Sequence, residues 1–292
     1  MSGAETTTAF GGFQTPRAES RAVLIPVAYD LTTSYACGSR NGPRALIEAS
    51  THMELFDEEL GFPPTDVGVH TLGVVEQIAS GPDAMIRRVA DLVRGVLRED
   101  RLPILIGGEH SISIGAFSAL AELHPDTTIV QLDAHADLRE EFQDSPYSHA
   151  CVMARARERF DCVQIGIRSL SATEYDRVRR ERLAVFPARR CKTEAEEVIR
   201  DVSALLGRRI YVTIDLDVFD PSVLPATGTP EPGGLLWEEV SRFVQALTRD
   251  REVVGFDVVE LSPIPGLHAP EFTAAKLVNR VLGCACPLPG ST

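Results

Sequence analysis

From residue 21 onward, short unbroken apolar runs alternate with stretches in which apolar residues recur at helical spacing. The runs at 22–25, 102–106, 128–132, 162–167, 184–186, 210–214 and 253–259, with a weaker one at 67–72, predict strands. Runs without polar interruption suit strands buried on both faces, which predicts an α/β fold with a parallel sheet covered by helices above and below. The intervening segments predict helices over 44–50, 82–98, 111–123, 148–157, 173–182, 193–206, 236–248 and 273–282. In the 82–98 segment Ile86, Val89, Ala90, Val93, Val96 and Leu97 share one face. Pro43 suits the first turn of the 44–50 helix, where a missing backbone donor costs nothing.

Two loops stand out. The segment 29–44 follows the first strand and is rich in Thr, Ser, Gly and Asn, and 220–234 is rich in Pro and Gly. Loops after strands of an open α/β sheet form the rim where ligands bind, and a patternless loop as long as 220–234 is uncommon away from a site. No repeat, low-complexity tract or linker divides the chain, so a flexible N-terminal arm over 1–20 and a single domain over 21–292 are expected.

Three apolar runs end in side chains that bind cations. Gly107-Gly-Glu-His110 follows 103–106, Asp133-Ala-His-Ala-Asp137 follows 128–132, and Asp215 and Asp217 follow 210–214. In extended chain, residues two apart share a face, so Asp133, His135 and Asp137 can converge on one point. A lone strand-end Asp more often caps a turn, and His52, His70, His124 and His268 read as ordinary core or surface residues. The joint set of His110, Asp133, His135, Asp137, Asp215 and Asp217 is different: four carboxylates and two imidazoles at strand ends, if crowded into one site, need positive charge. An oxygen-rich set with some nitrogen suits manganese-type divalent ions, and the absence of cysteine from it argues against a structural zinc. One divalent ion neutralises half of four carboxylates and two balance them, which predicts a binuclear centre able to provide hydroxide near neutral pH.

Composition narrows the partners. With 292 residues, 44% hydrophobic and 24% charged, the chain has the make-up of a soluble protein with a full core. A net charge of −13 argues against nucleic acid or an anionic membrane as partner and favours a small cationic substrate. No apolar run reaches the roughly 18 residues of a membrane span, and the N-terminal segment lacks a basic stretch followed by an apolar one. Six scattered cysteines without a CxxC pair predict a reduced, cytoplasmic setting.

Gly107-Gly-Glu-His-Ser111, Asp133-Ala-His-Ala-Asp137 and Asp215-Leu-Asp-Val-Phe-Asp220 resemble, in this order, the signature motifs of the ureohydrolase family of arginases, agmatinases and guanidinobutyrases. The resemblance implies a single-domain, three-layer αβα fold with a mainly parallel eight-stranded sheet, and two Mn(2+) per subunit, with nickel or cobalt as alternatives. By the family pattern His110 and Asp137 would hold one ion, His135 and Asp217 the other, and Asp133 and Asp215 would bridge. Asp137 counts with both the metal and the catalytic set. His149, in Pro146-Tyr-Ser-His149, matches a histidine that passes a proton to the leaving amine, and Glu260 matches the carboxylate that receives the guanidinium. The chemistry asks for both, since the amine must be protonated and a guanidinium prefers a planar carboxylate partner.

The run 144–151 and the loop 225–234 look more like agmatinases than arginases. The expected reaction is therefore attack of a metal-bridging hydroxide on agmatine, giving urea and putrescine. A guanidinobutyrase or another guanidino-acid or guanidine hydrolase would share the pattern, with Arg139 and the 29–44 loop placed to select the tail. A non-enzymatic reading, an inactive metal-binding subunit, would also keep the fold. The family likeness further implies a homo-oligomer, a trimer or hexamer.

Overall fold

The computed structural model describes residues 8–288. Nine strands form one sheet: β1 (Ala22–Ala28), β2 (Val69–Thr71), β3 (Val75–Glu76), β4 (Leu102–Gly107), β5 (Thr127–Leu132), β6 (Cys162–Ile167), β7 (Ala184–Pro187), β8 (Arg209–Asp215) and β9 (Glu252–Val259). Eight follow the order β2-β1-β4-β9-β8-β5-β6-β7, β3 adds to β1, and every pairing between them is parallel. The two-residue β3 adds a ninth strand to the expected eight. β1 explains the addition: its first half pairs with β2 at 22–24 and its second with β3 at 27–28, and the change of neighbour falls beside Pro26, which has no N–H for the ladder.

The helices are α1 (Gly42–Ser50), α2 (Pro82–Arg98), α3 (Ser113–Leu123), α4 (Val152–Ala156), α5 (Ala172–Glu181), α6 (Ala188–Thr193), α7 (Ala195–Leu205), α8 (Trp237–Thr248) and α9 (Ala269–Ala285). Alternate strand residues feed two separate cores. Leu24, Ile104, Ile106, Val130, Leu132 and Val212 pack toward α1, α7, α8 and α9, whereas Val23, Ile25, Leu105, Ile129 and Tyr211 pack toward α2, α3 and α4. Their backbone stays buried on both sides, which is why the strands read as unbroken apolar runs.

The helix expected over 193–206 is α7, and a short helix that was not expected, α6, precedes it, the two being separated at Glu194, whose backbone leaves helical geometry. The one expected over 148–157 begins as a 3-10 turn at His149–Cys151, and α9 starts earlier than residue 273 because Pro270 is accommodated in its first turn. Part of the arm expected over 1–20, residues 1–7, lies outside the described residues. From Ala9 onward the segment packs on the body: Phe10 is buried, its N–H donates to Thr71 Oγ1 at 3.0 Å, and Arg17 pairs with Glu99. Among the described residues no helix is long and apolar enough to cross a membrane, and all six cysteines are free thiols.

Four adjacent central strands, β4, β9, β8 and β5, point the same way, so their C-terminal ends deliver side chains to one place.

Candidate metal centre

β4 ends in Gly107-Gly108, which lets the chain turn under the loop after β1. A Cβ at Gly108 would overlap the Tyr29 carbonyl oxygen, so only glycine fits. The turn puts His110 at the centre of the sheet end, with its Nδ1 3.1 Å from Asp133 Oδ2, 3.3 Å from Asp137 Oδ2 and 3.4 Å from Asp215 Oδ2. His135 Nδ1 lies 2.8 Å from Asp217 Oδ2 and 3.7 Å from Asp133 Oδ1. All six expected ligands therefore meet. They form two overlapping groups able to hold an ion, His110 with Asp133 and Asp137, and Asp133 with His135 and Asp217; Asp133 belongs to both. Asp215 reaches the first group through His110.

Backbone donors and amides aim these carboxylates. Asp133 accepts the His135 N–H at 2.5 Å and the Gln131 side-chain amide at 2.7 Å, and Gln131 is itself held by Gln164 at 2.6 Å. Asp217 accepts the Ala134 N–H at 3.0 Å, and Asp215 accepts the Asp217 N–H at 2.9 Å. Asp137 (φ 51°) and Glu260 (φ 68°) both adopt left-handed backbone, a conformation costly for non-glycine residues and concentrated at functional sites.

The donor set fits divalent cations. His110 Nε2 lies 2.8 Å from Thr213 Oγ1, whose own proton goes to Asp257 at 2.6 Å, so the imidazole must donate through Nε2. That leaves Nδ1 as a buried atom without a hydrogen-bond partner, facing three carboxylate oxygens. Lone pairs gathered around one point need a cation. Without one, burial disfavours charge on His110, but the adjacent carboxylates of Asp133, Asp137 and Asp215 outweigh it and push the imidazole well above its ordinary range. A metal ion would stand in for that proton.

The carboxylates give the same indication. Asp133 is buried, yet the hydrogen bonds of His110 and His135 hold it below the usual carboxylate range. Its neighbours move the other way. Burial and then the Asp133 charge push Asp137 up to about 7; burial and the charge on Asp217 raise Asp215, and burial and Asp133 raise Asp217. Acids this close cannot all ionise unless positive charge joins them.

The cluster floors a cavity of about 310 Å³ whose walls include Thr33, Arg139, Phe142, His149, Glu174, Thr229 and Glu260. Glu260 sits at the end of β9 with Oε1 accepting the His110 N–H at 2.7 Å, and burial, then the nearby Glu109 charge, push it up to about 8. His149 lines the same cavity, edge-on to Phe142 at 6.0 Å, and burial pulls it down to about 4. Arg139 lies over the Phe142 ring at 4.9 Å and 4.0 Å from Glu174.

Other residues escaped the sequence reading. Asp257 is wholly buried in the middle of β9 and supports His110 through Thr213 while accepting from Tyr211 at 2.8 Å. Arg168 gathers the carbonyls of Asp217 (2.6 Å), Glu231 (2.8 Å) and Phe219 (3.2 Å), fastening the 220–234 loop to the metal-side turn. A lone polar residue inside an apolar run was the available signal for Asp257.

The sequence model of the arginase family matches residues 20–284. An N(1)-aminopropylagmatine ureohydrolase of Thermus thermophilus is 40% identical over 278 residues, covering 94% of this chain and 93% of that protein. Agmatinase of Halalkalibacterium halodurans is 32% identical over 271 residues, covering 90% and 92%. Among solved structures, agmatine ureohydrolase of Thermoplasma volcanium superposes with a TM-score of 0.84 at 32% identity, covering 92% of this chain and 90% of that one.

Proposed function

The chain belongs to the arginase family, and from that premise we propose that it is a ureohydrolase that splits the guanidinium of a linear guanidino-alkylamine into urea and an amine. The observation that carries this reading is the meeting, in one cavity, of the Asp and His cluster, a buried carboxylate at Glu260 and a histidine at His149. Two divalent ions, manganese by the character of the donors, would when bound offset the carboxylates' charge and supply hydroxide near neutral pH. His110 and Asp137 would hold one and His135 and Asp217 the other, with Asp133 and Asp215 shared between them.

This chain's own groups do the rest. One Glu260 oxygen is occupied by the His110 N–H, and the other is left for a guanidinium N–H. A cationic guanidinium would restore the carboxylate form that burial disfavours. Asp137, fixed in its left-handed turn, keeps its carboxylate aimed at the reacting centre. His149, neutral at rest near neutral pH, would take up the proton that the attacking water releases and pass it to the departing nitrogen, which keeps the electron pair of its C–N bond.

The substrate tail is a cation in this proposal. Arg139 is already held by Phe142 and paired with Glu174, and Glu231, 3.8 Å from His135, adds a carboxylate nearby, so the balance beside the cluster does not favour an anionic tail. Similarity favours N(1)-aminopropylagmatine, with 40% identity to the relative of that name against 32% to the agmatinase; agmatine itself is the second reading. Urea release from aminopropylagmatine, agmatine, guanidinobutyrate and arginine, with metal content measured on the same preparation, tests this. The two amines are expected to give the highest kcat/KM, and preference for guanidinobutyrate or arginine would refute the tail assignment.

A further inference from the structure

Glu109 is a carboxylate with no solvent exposure that the proposed reaction does not use. Its oxygens accept the Thr32 N–H at 2.6 Å, the Thr32 hydroxyl at 2.5 Å and the Ser111 hydroxyl. A carboxylate buried this deeply relies on these donors in place of water. Thr32 belongs to the loop after β1 and has little else to bind. Because its hydroxyl proton is committed to Glu109, its Oγ1 can only accept on its other side. There it meets His149 twice, at the backbone N (3.1 Å) and at ring Nδ1 (3.4 Å). Ser148 Oγ lies 3.3 Å from the same Nδ1 and, as a hydroxyl free to rotate, suits either tautomer; Ser34 Oγ lies 3.4 Å from Nε2. The acceptor that cannot rotate its role is Thr32, and it selects a proton on Nδ1.

We propose that Glu109 and Thr32 are positioning residues that set the tautomer and orientation of His149. Glu109 fixes the Thr32 proton, Thr32 receives Nδ1–H, and Nε2 is left facing the cavity to carry the proton that passes to the departing amine. At rest Nε2 holds no proton, and it first takes the one that the attacking water releases; when the C–N bond breaks, its electron pair stays with the amine nitrogen, that nitrogen takes the Nε2 proton, and the imidazole returns to its Nδ1–H form. The inference rests on the reading of His149 as proton donor given above.

The test uses the metal-loaded full chain and the best substrate of the panel. Thr32→Val keeps the shape and removes the hydroxyl. It is expected to retain metal content while kcat falls at least tenfold and KM stays within about threefold, and Thr32→Ser is expected to recover most of the loss. Combined with His149→Asn, Thr32→Val should cost less than twofold beyond His149→Asn alone, because both changes remove one function. Glu109→Gln should lower kcat more mildly and also lose its effect in the His149→Asn background. Thr32→Ala carries the same expectations should the valine variant not fold. Nitrogen-15 NMR of the full chain with labelled histidine should find His149 with its proton on Nδ1, and a shift toward Nε2 in Thr32→Val. An undiminished Thr32→Val loss in the His149→Asn background, or an unchanged tautomer, overturns the proposal. Wild-type kcat in His149→Asn overturns the proton-donor reading itself, and with it this inference.

Discussion

Thr213 links His110 to Asp257 and Tyr211, and replacing it with valine breaks that link at nearly constant volume. The change strands two buried groups. The Nε2–H of His110 loses its acceptor, and the Asp257 carboxylate loses its 2.6 Å donor. Leaving a buried polar group unsatisfied costs about 1–3 kcal/mol, so the pair should cost about 2–6 kcal/mol. For a chain of 292 residues that corresponds to a Tm lower by roughly 3–10 °C. His110 also loses what fixes its tautomer and ring plane, and such outer partners typically govern about 10–100-fold in metal affinity. Scanning calorimetry of the chelated chain gives the first quantity, and titration with manganese against a competing chelator gives the second. Thr213→Ser should restore most of both. A Thr213→Val chain that binds manganese within twofold of wild type and melts within a degree of it would show that His110 is not held through this hydroxyl.

Asp133 is shared by both ligand groups, so Asp133→Asn should abolish urea release and lower bound metal, measured by atomic emission, whereas a fully loaded variant would contradict the assignment. Glu260→Gln keeps the His110 N–H contact but removes the charge that meets the guanidinium; kcat/KM should drop at least a hundredfold with metal content retained, and a drop below tenfold would refute the contact. Chelation should make stability pH-dependent. Asp137 (about 7 rather than 3.8) and Glu260 (about 8 rather than 4.5) hold protons that the unfolded chain has already released, so their contribution is present below about pH 4 and is lost as pH rises through 7 to 8. The chelated chain should therefore melt lower at pH 9 than at pH 6, with manganese removing most of the difference; equal melting temperatures would argue against proton crowding at the cluster.

The strand ends were legible because parallel strands buried on both faces leave most of their charged and imidazole side chains where the chain exits the sheet, as at His110, Asp133 and Asp215. The adjacency of β4, β9, β8 and β5 was not, since sequence order does not state which strands neighbour one another. Asp257 stayed hidden for a related reason: inside β9 it reads as a flaw in an apolar run, and only the neighbouring Thr213 and Tyr211 on β8 give it a role. Short elements also escaped, since β3 and α6 carry too few residues for periodicity to register. Glu109 sat inside a recognised motif, yet its partner Thr32 lies 77 residues away.

The central claim is that two cations gathered by these strand ends make the chain hydrolyse guanidines. Titrating the chelated chain with manganese while following urea release from aminopropylagmatine tests it directly. Activity should rise with metal and level off at two equivalents per chain. A plateau at one equivalent, or no urea at any loading, would contradict it.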